Sequence, residues 1–334
     1  MANVTIKDIA KKLGIAPSTV SRALRDHPDV SKKTKEKVVN LADELNYHPN
    51  TIAQSLKKGT SKIVGVLVPA VRHFFFAEIM AGIADVAEKT GYNVMIFQSN
   101  ENYENEVKNI RALIRQRIAG VLASVSEFTE SCDHFELLQN QGIPLVFFDR
   151  FCPGVRAPKV VVDDYEGAFN AVEYLIQSGY KRIAHLGGYQ NLSIAKKRAQ
   201  GYKDALKKHN YPVKEELIYY SGLNEEDGKE AFTELYKTLE EPPDAILAVS
   251  DPVAIGVYQV MNEKGLTIPD DIALIGFSDN PEARLISPAL TTVRQHPYDI
   301  GKNAMEILVK NIENDTNVIE NRVLQTELII REST

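Results

Sequence analysis

The stretch from Thr5 to Asp26, TIKDIAKKLGIAPSTVSRALRD, sets Ile6, Ile9, Ala10 and Leu13 at helical spacing. Thr5, three residues ahead of Asp8, can cap that helix. Gly14 supplies the backbone geometry that stops it, and Ile15, Ala16 and Pro17 make a short turn before Val20, Ala23 and Leu24 resume the period. Two short amphipathic helices joined so tightly read as a helix-turn-helix. A third segment, SKKTKEKVVNLADELNY from Ser31, offers Val38, Leu41, Ala42 and Leu45 to close a three-helix core, and His48-Pro49 ends it.

Outward from that stretch, the sign of the charge changes. Residues 1–62 carry 12 Lys+Arg against 6 Asp+Glu, a balance of +6, although the whole chain stands at -6; the remainder is therefore at -12. A basic head on an acidic body suggests a polyanion-binding module joined to a different kind of domain. At 334 residues the chain exceeds one ordinary core, and 44% hydrophobic with 25% charged residues is a globular composition. The longest apolar runs, IVGVLVPAV and GVLASV, are too short to span a bilayer, and MANVTIKDIAKK has no apolar signal core, so a cytoplasmic location is expected. Cys132 and Cys152 are too few for a disulfide framework and lack zinc-site spacing; buried thiols are expected.

The body alternates strand-like apolar runs, at 63–69, 93–98, 119–125, 144–149, 159–163, 182–187, 245–249 and 272–277, with amphipathic helical stretches. That alternation predicts an α/β architecture of parallel sheets. Eight strands exceed one small sheet, so two doubly wound subdomains are expected, with a ligand cleft beyond the carboxyl ends of their strands.

T-I-K-D-I-A-x-x-L-G-I, S-T-V-S-R-A-L, Y-H-P-N-x-x-A-x-x-L and I-V-G-V-L-V-P resemble the lactose-repressor (LacI/GalR) family of bacterial transcription regulators. D-x-V-A-I-G at 251–256, G-L-T-I-P-D-D-I-A-L-I-G-F at 265–277 and P-A-L-T-T-V-R-Q at 288–295 continue the resemblance through the body. It implies a helix-turn-helix headpiece over 1–49, a hinge helix over 50–62 and a two-lobed, periplasmic-binding-protein-like body over 63–334. The N-lobe is then expected over 63–161 and 293–320, and the C-lobe over 162–292 and 321–334. The implied function is that of a ligand-responsive repressor binding a near-palindromic operator in double-stranded DNA as a homodimer, with a small sugar-like effector between the lobes.

On the DNA side the resemblance assigns base reading to Pro17, Ser18 and Arg22, phosphate contacts to Thr19 and Ser21, and further contacts to Thr5 and Asn50. Arg22 can meet a guanine bidentately; alone it reads equally as a surface arginine. Leu56, in NTIAQSLKK, matches the leucine that the family's hinge wedges into the minor groove, and on its own reads also as a core anchor. On the effector side Phe75 and Phe76 are candidates to stack on a sugar, while simple packing of a helix is the alternative. Asp149, Asp163, Asp251 and Gln295 end strands, where an isolated residue is more often a cap or a solvated turn. The resemblance adds Ser193, Arg198 and Ser278, the last at a position where many sugar-binding members have aspartate. Arg198 is expected to be the dominant clamp, with Asp149 and Asp251, touching only the ligand and, aided by Arg150 or Arg72, accommodating an acidic or phosphorylated group as well as a neutral sugar.

G-x-G-x-x-G, G-x-x-x-x-G-K-[ST] and G-x-S-x-G are all absent, and His73, His134, His185 and His296 lack metal-like spacing. No catalytic residue, cofactor or metal is expected. The rival readings are a free solute-binding protein and an α/β sugar-modifying enzyme.

Overall fold

The computed structural model describes residues 4–45, 47, 61–314, 316 and 318–334. Two compact units divide the chain, Met1–Ser61 and Lys62–Thr334. In the first, α1 (Ile6–Leu13), α2 (Pro17–Ala23) and α3 (Lys32–Glu44) surround Ile9, Val20 and Val38, all fully buried. The Thr5 amide and hydroxyl both donate to the Asp8 carboxylate, at 2.8 and 2.6 Å, fixing the start of α1. Gly14, at φ 65°, ends it. Ser31 accepts the Thr34 amide at 3.3 Å and opens α3.

The second unit holds two six-stranded sheets. The first contains β1 (Ile63–Val68), β2 (Asn93–Gln98), β3 (Gly120–Ala123), β4 (Leu145–Phe148), β5 (Lys159–Val162) and β11 (Asn321–Leu324), ordered β11-β5-β4-β3-β1-β2 and parallel throughout. The second contains β6 (Ile183–Gly187), β7 (Ile218–Tyr220), β8 (Ala245–Ala248), β9 (Ala273–Ser278), β10 (Thr291–Arg294) and β12 (Glu327–Ile329). Its order is β12-β10-β9-β8-β6-β7, with the β10–β12 pair antiparallel. Both faces of each sheet are covered, which is why the central strands, such as LVFF in β4, are uninterrupted apolar runs.

Helices α4 (Phe74–Thr90), α5 (Tyr103–Arg115), α6 (Asp133–Asn140) and α11 (Pro297–Glu313) flank the first sheet; α7 (Asp164–Gln177), α8 (Ser193–Lys208), α9 (Glu225–Thr238) and α10 (Asp251–Glu263) flank the second. Two helix pairs cross on glycine: a Cβ on Gly301 of α11 would fall on the Ile79 carbonyl of α4, and one on Gly256 of α10 on the Glu225 carbonyl of α9.

The lobe boundaries differ from those expected. Thr291–Arg294 belongs to the second sheet and Asn321–Leu324 to the first, so the chain crosses between lobes at Asp163, at Gln295 and at Gln325–Thr326. The run NRVLQTELII holds two strands, β11 and β12, which serve different sheets on either side of Gln325–Thr326.

The cysteines differ as well. Cys132 and Cys152 form a disulfide, with Cα atoms 5.9 Å apart, instead of two buried thiols. Twenty residues separate them in sequence, and the packing of α6 beside the segment after β4 brings them into bonding range. Among the described residues, no helix is long and apolar enough to cross a membrane.

Candidate functional site

In the first unit, α2 leaves Pro17, Ser18 and Arg22 exposed and Thr19 and Ser21 half-buried, while Val20 and Ala23 pack inward. Thr5 is exposed at the start of α1. The Arg22 guanidinium bonds no described residue and so remains available to a nucleic acid. Asn50 and Leu56 lie outside the described residues.

In the second unit, the loops at the carboxyl ends of strands from both sheets enclose a cavity of about 400 Å³. Asn100, Glu101 and Asp149, which line it, have φ of 56°, 55° and 59°, left-handed turns at the ends of β2 and β4. The structure brings Phe75, Phe76, Asp149, Arg198, Ser278 and Gln295 together here. Phe76 is buried and meets the Phe75 ring edge-on at 5.4 Å. Phe74, its neighbour, is exposed on α4.

Three of the expected residues stand elsewhere. Asp163 caps α7, accepting the Glu166 amide at 3.1 Å in the crossover between lobes. Ser193 borders a separate cavity of about 70 Å³ beside the disulfide. Asp251 is fully buried, and its two oxygens accept the Thr292 hydroxyl at 2.5 Å and the Asn280 amide at 2.7 Å. Ser250 takes the cap of α10, so Asp251 falls within the first turn, where it props up Asn280 behind the cavity wall. Burial pushes its carboxyl up to about 6.

Arg198 also differs from its expected role, because it is occupied before any ligand arrives. Its Nε and Nη2 donate to Asp164 at 2.9 and 2.7 Å, its Nη1 to the Val249 carbonyl at 2.5 Å, and its guanidinium lies 3.7 Å from the Phe277 ring centroid. Gln295 links the same guanidinium, at 3.5 Å, to Ser278, at 3.1 Å. Arg150 is engaged in part: Nη1 lies 3.0 Å from both Glu101 oxygens, while Nε, 3.6 Å from Asp149, has no hydrogen-bond partner. Burial nonetheless raises the Asp149 carboxyl to about 6.

Sequence reasoning missed Asp164, Glu101, Glu127, Tyr189, Asn224 and Asp227, although the rule of strand carboxyl ends pointed to their loops. Which loop residue turns inward depends on left-handed turns and caps that leave no pattern in the sequence. Asn224 and Asp227 bond reciprocally, at 3.1 and 2.9 Å, and so fix Asp227 at the start of α9. Glu127 is 7% exposed, lines the cavity, and its carboxylate bonds no described residue. Burial raises it to about 7. Two contacts join the lobes at this end: Asn191 donates to the Glu127 carbonyl at 2.5 Å, and the Phe128 and Tyr189 rings lie 5.3 Å apart.

Residues 5–50 match the family described as bacterial regulatory proteins, lacI family, and residues 172–334 match the periplasmic binding protein-like domain. The HTH-type transcriptional repressor PurR of Actinobacillus pleuropneumoniae serotype 3 (strain JL03) is 31% identical over 98% of each chain. The chain belongs to the LacI family. A solved structure, the transcriptional regulator CelR in complex with cellobiose, is 27% identical over 99% of this chain and 100% of its own, with a TM-score of 0.76. The lac repressor dimer bound to operator and the anti-inducer ONPF, at 24% identity, has the same fold over 100% of this chain and 99% of its own, with a TM-score of 0.88. As a LacI-family member the chain is a DNA-binding transcription regulator and not an enzyme.

Proposed function

We propose that this LacI-family chain is a ligand-responsive repressor that acts in the cytoplasm as a homodimer on a near-palindromic operator. Two heads related by a two-fold axis require two related half-sites. The observation that carries the reading is the cavity between the lobes, walled by loops from both sheets, in a chain that also carries a helix-turn-helix. A ligand touching both walls distinguishes open from closed lobes, which is what an allosteric effector must do.

A small carbohydrate or carbohydrate derivative fits this cavity. Phe75 offers a partly buried ring to an apolar sugar face, and Gln98, Asn100, Asn224 and Asn280 offer donors and acceptors to hydroxyls. The CelR complex with cellobiose supports that class. Pro17, Ser18 and Arg22 are assigned to base edges, Thr5, Thr19, Ser21 and Asn50 to the backbone, and Leu56 to the minor groove.

Selection of a preferred duplex from random sequences, followed by titration with Arg22→Ala, tests the assignment. A bidentate guanine contact predicts a loss of about 1–3 kcal/mol that vanishes when one base pair is changed. An equal loss on every duplex would assign Arg22 to phosphate instead.

A further inference from the structure

The cavity's charge is not balanced. Its two buried arginines are ion-paired internally, Arg198 with Asp164 and Arg150 with Glu101 and Asp149, although the Arg150 Nε has no hydrogen-bond partner. Arg72 lines the cavity but is exposed, where solvent and salt screen it. On the acidic side, Glu127 of one lobe and Asp227 of the other line the cavity and form no ion pair with a described residue, although Arg150 is near enough to lower the Glu127 carboxyl. Glu127 is the sharper case, since the residue is only 7% exposed and its carboxylate, open to the cavity, bonds no described residue.

Both carboxylates act on one phenol. Burial raises the Glu127 carboxyl most, Arg150 lowers it, and Glu101 and then Asp227 raise it further; the Tyr189 hydroxyl is raised by burial first and then by Glu127 and Asp227. The groups facing Glu127 are therefore Arg150, Glu101, Asp227 and Tyr189, and the one cation among them is shared with Glu101 and Asp149, with which it forms its ion pairs. The Phe128 and Tyr189 rings add apolar and π surface at this end. Buried carboxylate and aromatic faces together are the chemistry that receives an organic ammonium group.

We propose that the cavity is a cationic-ligand site, in which a protonated amine on a sugar-like effector is received between Glu127 and Asp227 beside Tyr189 and Phe128. The inference rests on the carbohydrate reading above and narrows it to amino sugars and related amines. It also differs from the sequence expectation that the arginines accommodate an acidic or phosphorylated group as well as a neutral sugar, because both buried arginines already form ion pairs with the protein's own carboxylates.

Thermal shift and calorimetry on the full chain test it with matched sets: glucosamine, galactosamine and the β-1,4-linked glucosamine disaccharide, each beside its neutral hydroxyl parent, its N-acetyl form and the 6-phosphate of the parent monosaccharide. In at least one set the amine is expected to bind about tenfold or more tighter than its neutral parent, the difference one charge-assisted contact makes. Glu127→Gln is expected to bring that ratio close to one, and Asp227→Asn to reduce it. If in every set that binds the neutral or phosphorylated member binds as tightly as its amine or tighter, the amine site is overturned while the carbohydrate reading stays in place. Binding by no member of any set overturns both.

Discussion

Glu127 keeps a carboxylate inside the cavity that makes no hydrogen bond or ion pair with a described residue. Burial lifts it from an ordinary 4.5 to about 7, so the stability it contributes is fullest below pH 4.5 and is lost as pH rises through 7. Glu127→Gln removes that titration. The ligand-free variant is expected to gain on the wild type by on the order of 1–3 kcal/mol between pH 5 and pH 8, read from denaturant titrations at both. A difference independent of pH would contradict this account. Arg198 is the opposite case: Arg198→Ala leaves Asp164 buried without its cation, and a loss of about 3–5 kcal/mol is expected in the same titration. The sequence suggested a ligand contact whose loss would leave the fold intact; an unchanged denaturation midpoint would restore that view.

At the scale of elements, the helices of the body approach each other through glycine. Gly301→Ala and Gly256→Ala each press a methyl against a backbone carbonyl of the neighbouring helix, which cannot rotate away as a side chain can. Each is expected to cost about 1–3 kcal/mol or more, whereas Gly154→Ala, which meets nothing within 4 Å, is expected to be close to neutral. Melting temperatures of the three variants check this, and a neutral Gly301→Ala would mean that the α4–α11 pair tolerates separation. What the sequence made legible follows from the same packing. Strands covered on both faces, such as β4 and β8, are apolar throughout and stand out. The short edge strand β7 and the split run β11–β12 are half-exposed, and their pattern carries no sign of which sheet they join. In the cavity, Phe75, Phe76, Ser278 and Gln295 could be located from motif position, but Glu127 and Asp227 come together only when two lobes meet. No local pattern records that.

For the whole molecule, the central claim is that occupancy of the cavity between the lobes changes how the basic helix-turn-helix unit holds DNA. The lobes are joined by three crossovers and, across the cavity mouth, by the Asn191–Glu127 and Phe128–Tyr189 contacts. A ligand held on both walls favours one lobe arrangement by its difference in affinity for the two, and by no more than that difference. The most direct measurement is fluorescence anisotropy of a selected operator duplex titrated with the full chain, at fixed salt, with and without a saturating cavity ligand. The account predicts that the operator dissociation constant shifts by about fivefold or more, and that the duplex shifts the ligand's affinity by the same factor. Identical operator affinity in the presence and absence of a ligand shown by calorimetry to fill the cavity would contradict it.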